Sequence, residues 1–245
     1  MIEIRHDTIT DTSRSQSAYD LFYDEGGVDL SDSYYLWLLE KIKPVPGKLL
    51  IDVSCGRGKL ISFARQKGLE VIGLDFSLNA IKIAQKKDCD LRVFVSDGEK
   101  IALREGCADY VTHIGNLEHY QGPAAGIQEV AGLLKTDGTG VILLPNGFSI
   151  AGNIQYVRRT GWVFDDGQPL QRYNTREGWR ELLESNGLNV YKTIRYEHFL
   201  PRTKRDWISH LKRPSRLLRW ALAWAIPFNL SNCFVYFCRR SSKIN

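Results

Sequence analysis

Apolar positions along this chain come in two alternating rhythms. Short apolar runs at 49–53, 70–76, 91–96, 109–114 and 139–144 have the length of buried strands. Between them lie longer stretches with helix signals: one closing at Gly68, one capped by Ser77 and carrying Ile81, Ile83 and Ala84, and one over 124–134 ended by Asp137-Gly138. Before the first strand, Ser31 or Asp32 caps a helix through Tyr34, Trp37, Leu38 and Ile42 that ends ahead of Pro44. After the fifth strand, Thr175 caps a helix through Trp179, Leu182 and Leu183 that stops at Gly187; strands are expected over 188–199 and 233–239. Residues 1–30 and 147–174 read as irregular. Strands alternating with helices predict βαβ units, a parallel sheet and helices on both faces. In such a sheet ligands sit at the carboxyl ends of the strands, near the switch point.

Composition narrows the class without naming a function. A chain of 245 residues, 43% hydrophobic and 25% charged, can build one sizeable core. Its five cysteines, Cys55, Cys89, Cys107, Cys233 and Cys238, form no CxxC pair, so neither a disulfide framework nor a metal site is expected. The N-terminus lacks an apolar leader core, and a cytoplasmic location is expected. The net charge of +5 is unevenly spread. Residues 201–220 hold seven Lys or Arg and one Asp, a local +6, so the rest of the chain sums to −1. One basic segment in a near-neutral chain points to a local docking surface, whereas a generally basic protein would suggest nucleic acid.

Candidate chemistry lies where the strands end. Gly56 and Gly58, in the turn Asp52-Val53-Ser54-Cys55-Gly56-Arg57-Gly58, let backbone approach a ligand before a helix N-terminus. Asp75 ends the second strand, where a carboxylate can accept from a ribose diol. This pair implies a nucleoside-bearing ligand. The dinucleotide fingerprint G-x-G-x-x-G fails, because its third glycine falls on Ile61. Asp97, ending the third strand ahead of Gly98, is placed to bond an adenine amino group, and the chain finishes on two strands after its last long helix.

These segments, in this order, resemble the class I S-adenosylmethionine (SAM)-dependent methyltransferases. Residues 49–58 resemble the family's cofactor turn, Gly73-Leu74-Asp75-Phe76-Ser77 its second motif, and Asp97-Gly98 its adenine-contacting acid. His113-Ile114-Gly115-Asn116-Leu117-Glu118-His119 resembles the family's LEH segment, and Leu133 to Gly138 its LKPGG turn. Ser54 stands where the family's first glycine usually does, and a residue this small is expected to leave SAM binding intact. The resemblance covers roughly residues 45–200. It implies a Rossmann-like, doubly wound, mostly parallel seven-stranded sheet with an antiparallel last strand. It divides a single domain into an N-terminal lid (1–44), a SAM-binding core (45–146), a substrate-side insertion (147–174) and a basic amphipathic insertion (201–231). It also implies that SAM is held by Asp52, Ser54, Cys55, Gly56, Gly58, Asp75, Phe76, Asp97, Gly98, Gly115 and Asn116, with Asp52 orienting the methionine end or simply stabilising the turn.

The acceptor side is less defined. For a hydroxyl acceptor His119 is the first candidate base, then His113 and Glu118, with packing beneath the cofactor as the alternative for a histidine here. Tyr156, Arg158, Arg159, Trp162, Phe164, Asp165 and Asp166 are expected near the mouth, and Tyr19, Phe22, Tyr23, Tyr34 and Tyr35 in a lid, with an ordinary packing role as the equal alternative for most of them. Residues 168–175 resemble a stretch found in methyltransferases of saccharide pathways. In 202–230, Pro214 opens an expected helix with Lys212, Arg216 and Arg219 on one face and Leu217, Leu218, Ala221, Leu222, Trp224 and Ala225 on the other. A basic, Trp-bearing amphipathic helix reads as a membrane-surface element, too short to span. Packing inside the fold, a dimer interface and nucleic acid are its alternatives. The expected activity is methyl transfer to a hydroxyl of a small-molecule, saccharide or lipid-linked acceptor. A nucleic-acid methyltransferase and a SAM-binding, non-catalytic partner subunit at a membrane are the competing readings. The Asp/Asn-Pro-Pro-Tyr motif of amino-directed nucleic-acid enzymes is absent at 115–117.

Overall fold

A computed structural model describes residues 1–6, 12–24, 30–197, 200–213 and 220–242. The backbone of 12–15 and of Phe22 is described, but their side chains are not. Seven strands form one sheet in the order β4-β3-β2-β5-β6-β9-β8. They are β2 (Leu49–Val53), β3 (Glu70–Asp75), β4 (Val93–Val95), β5 (Ala108–Ile114), β6 (Leu134–Pro145), β8 (Leu188–Tyr196) and β9 (Cys233–Arg240). The first five run parallel, and β9 enters antiparallel between β6 and β8. The order reverses between β2 and β5, which is the switch point.

Alternation along the strands sends successive side chains to opposite faces, and each face has its own core. Ile51, Ile142, Phe234 and Tyr236 pack on one side with Ile127 and Val130 of α5 (Pro123–Leu133) and Trp179 and Leu183 of α7 (Arg176–Glu184). Leu50, Val141, Val235 and Phe237 pack on the other with α2 (Asp32–Ile42), α3 (Lys59–Gln66) and α4 (Leu78–Lys87). Hydroxyl caps start α2, α4 and α7: Ser31 Oγ accepts from Tyr34 N, Ser77 Oγ from Ala80 N, and Thr175 Oγ1 from Gly178 N.

Two stretches read as irregular carry structure. Residues 1–30 contain β1 (Ile2–Arg5) and α1 (Thr12–Asp24); residues 147–174 contain α6 (Asn153–Thr160) and β7 (Leu170–Tyr173). β1 pairs antiparallel with β7 in a separate two-stranded sheet. Four-residue strands leave too little periodicity to register, and α1 makes polar contacts to the turn before α4 that periodicity does not report. The Asp137-Gly138 turn is absorbed into β6. The chain passes straight from α5 into that strand, with a register shift opposite Ala108 and Tyr110. Arg239 donates to the carbonyls of Asp137 and Gly138 and to Thr139 Oγ1, which holds this irregular end.

The insertion between β8 and β9 holds α8 (Lys204–Leu211), capped by Thr203 and anchored through Asp206, which accepts from Ser33 N at 2.8 Å and Ser33 Oγ at 2.5 Å. Lys212 is the C-cap of α8 and does not belong to a following helix. The expected helix start at Pro214, with Arg216, Leu217, Leu218 and Arg219, lies outside the described residues; residues 220–223 are helical. No helix of the described residues is long and apolar enough to cross a membrane.

Candidate active site

Parallel strands bring their carboxyl ends to one edge of the sheet, and the turns there enclose a cavity of about 480 Å³. The turn after β2 forms its floor. Ser54, Gly56 and Gly58 all adopt positive φ, at 59°, 54° and 70°. A Cβ on Gly56 would be strained at this φ and would stand 2.9 Å from Tyr23 Oη, so glycine suits this approach. Ser54, Cys55 and Gly56 line the cavity. Gly58 does not: it caps α3, and a Cβ there would meet Ala84 and Leu91 at 3.2 Å.

Acids end the neighbouring strands. Asp75 accepts from Gly56 N at 2.7 Å and Ser77 N at 2.9 Å, tying the first turn to the second. Burial pushes its carboxyl up to about 6, against the pull of those backbone N–H groups. Asp52 accepts from Thr112 Oγ1 at 2.6 Å, and burial pushes it up to about 7 despite that bond, with the Asp75 charge adding to the rise. Asp97 accepts from Glu99 N at 2.9 Å, which shapes the Asp97-Gly98 corner. Asp52, Asp75, Phe76, Asp97 and Gly98 all border the cavity. So do Gly115 and Asn116 from the turn after β5, where Asn116 Nδ2 donates to Ile114 O at 3.1 Å and Ser54 O at 3.4 Å.

The other wall is built around the 3₁₀ turn Leu117–His119. His119 Nδ1 lies 2.6 Å from Leu170 O in β7. A carbonyl only accepts, so Nδ1 carries the proton and Nε2 of the neutral ring keeps its lone pair. Nε2 lies 3.9 Å from Glu118 Oε1 and 3.8 Å from Asp166 Oδ2, and all three residues border the cavity. Burial pushes the Glu118 carboxyl up to about 7, partly offset by His119 and reinforced by Asp166. Glu118 Oε2 has no hydrogen-bond partner among the described residues. Arg172 braces this wall from behind, donating to Tyr120 O and pairing with Glu3 Oε2 at 2.8 Å.

His113 stands apart. It is fully buried in β5 outside the cavity lining, with its ring edge-on to Tyr120 at 5.0 Å between centroids. Burial pushes it down to about 3, so it stays neutral. The expected lid divides as well. Tyr19, Tyr23 and Tyr35 border the cavity, whereas Tyr34 is buried in the core; the Phe22 side chain lies outside the described residues. α1 crosses the second turn: Gln16 Nε2 donates to Phe76 O at 2.9 Å, and Asp20 Oδ1 accepts from Ser77 Oγ at 2.5 Å and Asn79 N at 3.2 Å. From the 147–174 insertion, Asp166, Gln168 and Pro169 reach the cavity. Tyr156, Arg158, Arg159, Trp162, Phe164 and Asp165 do not line it; Trp162 is 77% exposed. The sequence reading missed Tyr120 in the lining. Its signal was its position directly after the LEH segment.

Residues 51–142 match a family described as a methyltransferase domain. The ubiquinone biosynthesis O-methyltransferase of Ralstonia nicotianae is 33% identical over 105 residues, covering 41% of this chain and 44% of that protein. The demethylmenaquinone methyltransferase of Corynebacterium kroppenstedtii is 28% identical over 116 residues, covering 46% and 48%. The chain thus spans about half the length of the curated relatives it matches. Among solved structures, the magnesium protoporphyrin IX methyltransferase of Synechocystis PCC 6803 with bound S-adenosylhomocysteine (SAH) superposes with a TM-score of 0.63 at 17% identity, covering 94% of this chain and all of the other.

Proposed function

On the premise that this chain carries a class I SAM-dependent methyltransferase domain, we propose that it transfers a methyl group to a hydroxyl of a small amphiphilic acceptor. SAM is the cofactor of this domain, and it supplies an electrophilic methyl group on a sulfonium. The residues suit it. Glycine at 56 gives a cradle that a Cβ would fill, and buried acids close two of the strands around a cavity of nucleoside scale. Asp75 would accept from the ribose hydroxyls, with Asp97 and Gly98 on the adenine side. Asp52, Gly115 and Asn116 would border the methionine portion, and Phe76 would pack on the base.

One observation carries the acceptor chemistry: the bond from His119 to Leu170 O that leaves Nε2 open between Glu118 and Asp166. Such a nitrogen can take the proton of an acceptor hydroxyl. Glu118 then serves as an electrostatic partner of His119, with its own elevated proton affinity. The relatives named for ubiquinone and demethylmenaquinone support a quinone-like acceptor, and the ubiquinone one, an O-methyltransferase, supports a hydroxyl. His113, fully buried outside the lining, has no part in this reading.

Residues 202–230 support contact with a membrane surface, where such acceptors partition. Trp207, Ile208, Leu211, Leu222 and Trp224 are exposed alongside Lys204, Arg205, Lys212 and Arg213. The direct test of function is transfer of labelled methyl from SAM to a series of phenols with apolar tails. Turnover is expected with at least one, and His119→Ala is expected to lower kcat by about 10²–10⁴-fold. SAH binding without turnover on any acceptor would favour the non-catalytic partner subunit instead.

A further inference from the structure

Two residues other than glycine adopt positive φ among the described residues, Lys43 and Ser54. Lys43 is the left-handed C-cap of α2. Ser54 lies in the cofactor turn, where a Cβ is disfavoured at φ 59°. Such strain persists only where the surroundings hold it.

Ser54 is held from the turn after β5. Its carbonyl accepts from Asn116 Nδ2 at 3.4 Å, and its Oγ lies 2.9 Å from Tyr120 Oη. Tyr120 occupies a built seat. A Cβ on Gly98 would stand 1.8 Å from its hydroxyl, and one on Gly126 would stand 2.6 Å from a ring carbon. Only glycine at 98 lets the phenol through to Ser54. The phenol, carried on the segment after β5, thereby touches the turns after β2 and β4, and all three segments border the cavity.

We propose that Ser54 and Tyr120 form a hydroxyl clasp that fixes the cofactor turn against the Asp97-Gly98 corner, and that this clasp is what the strained serine provides and a glycine would not. Both are positioning residues. The inference rests on the reading of this cavity as a SAM site. It separates two effects that a merely structural residue would move together. Glycine at 54 relieves backbone strain and so favours the fold, but it removes the hydroxyl and so loosens the site.

The test is SAH affinity by calorimetry beside Tm, for the wild-type protein, Ser54→Gly, Tyr120→Phe and the double variant. Tyr120→Phe keeps the ring in its seat. Each single variant is expected to bind SAH about 3–10-fold more weakly, the range for one neutral hydrogen bond. The double variant is expected to lose no more than the weaker-binding single variant, because both remove the same contact. Ser54→Gly is expected to hold or raise Tm while losing affinity. Wild-type affinity in either single variant, or a double-variant loss equal to the product of the two, would overturn the clasp alone. Failure of the wild-type protein to bind SAH would overturn the cofactor reading, and the clasp with it.

Discussion

Burial makes Asp52, Asp75 and Glu118 hold their protons into the near-neutral range. For a carboxyl whose folded pKa lies above its unfolded value, the native state binds more protons than the unfolded chain between the two, so stability falls as pH rises through that window. For Asp52 the window runs from the ordinary value of 3.8 to about 7. Asp52→Asn cannot titrate, so its Tm is expected to fall less than that of the wild-type protein between pH 5 and pH 7.5. Equal slopes in thermal melts would contradict the burial argument. Asp75 was legible in the sequence because it ends a strand, Asp52 because it lies in the run before the glycine turn, and Glu118 because it falls in the LEH segment. The difference between His113 and His119 was not, since both lie in one resembling segment. It depends on which histidine is buried against Tyr120 and which meets the Leu170 carbonyl, a contact made by a residue 51 positions away.

Among the elements, α7 shows how a sequence signal becomes stability. Its Thr175 cap and its Trp179, Leu182 and Leu183 stripe were readable, and Trp179 is fully buried with Nε1 donating to Pro145 O at 2.7 Å. Trp179→Ala should therefore cost about 3–5 kcal/mol from lost burial and the cavity left behind, measured as a shift in the denaturant midpoint. Less than about 1 kcal/mol would mean that the core collapses around the gap. α1 was hidden for the opposite reason. Its role is carried by Gln16 and Asp20, polar contacts to the turn of Phe76, Ser77 and Asn79 that periodicity does not report. β1 and β7 were hidden by their length, though β7 sets the tautomer of His119 through Leu170.

Across the whole molecule, the parallel sheet gathers the acids, the glycine turns and His119 at one edge, while the basic insertion interrupts the chain between the last two strands. The insertion carries a local charge of +6 against −1 for the rest of the chain, and Trp207, Trp220 and Trp224 are exposed, so it is expected to bring the protein to anionic vesicles. Flotation with phosphatidylglycerol liposomes should carry the protein upward at low salt, and high salt should weaken that binding. Protein that stays at the bottom of the gradient at low salt would remove the membrane from the account and leave the cavity unaffected.

The central claim is that the strand-end acids hold SAM, and calorimetric titration of SAH into the wild-type protein and Asp75→Ala tests it most directly. Saturable binding that Asp75→Ala weakens by roughly tenfold or more, about 1.4 kcal/mol, is the predicted result for loss of charge-assisted hydrogen bonds. No saturable binding by folded wild-type protein, or equal affinity in both, would contradict it.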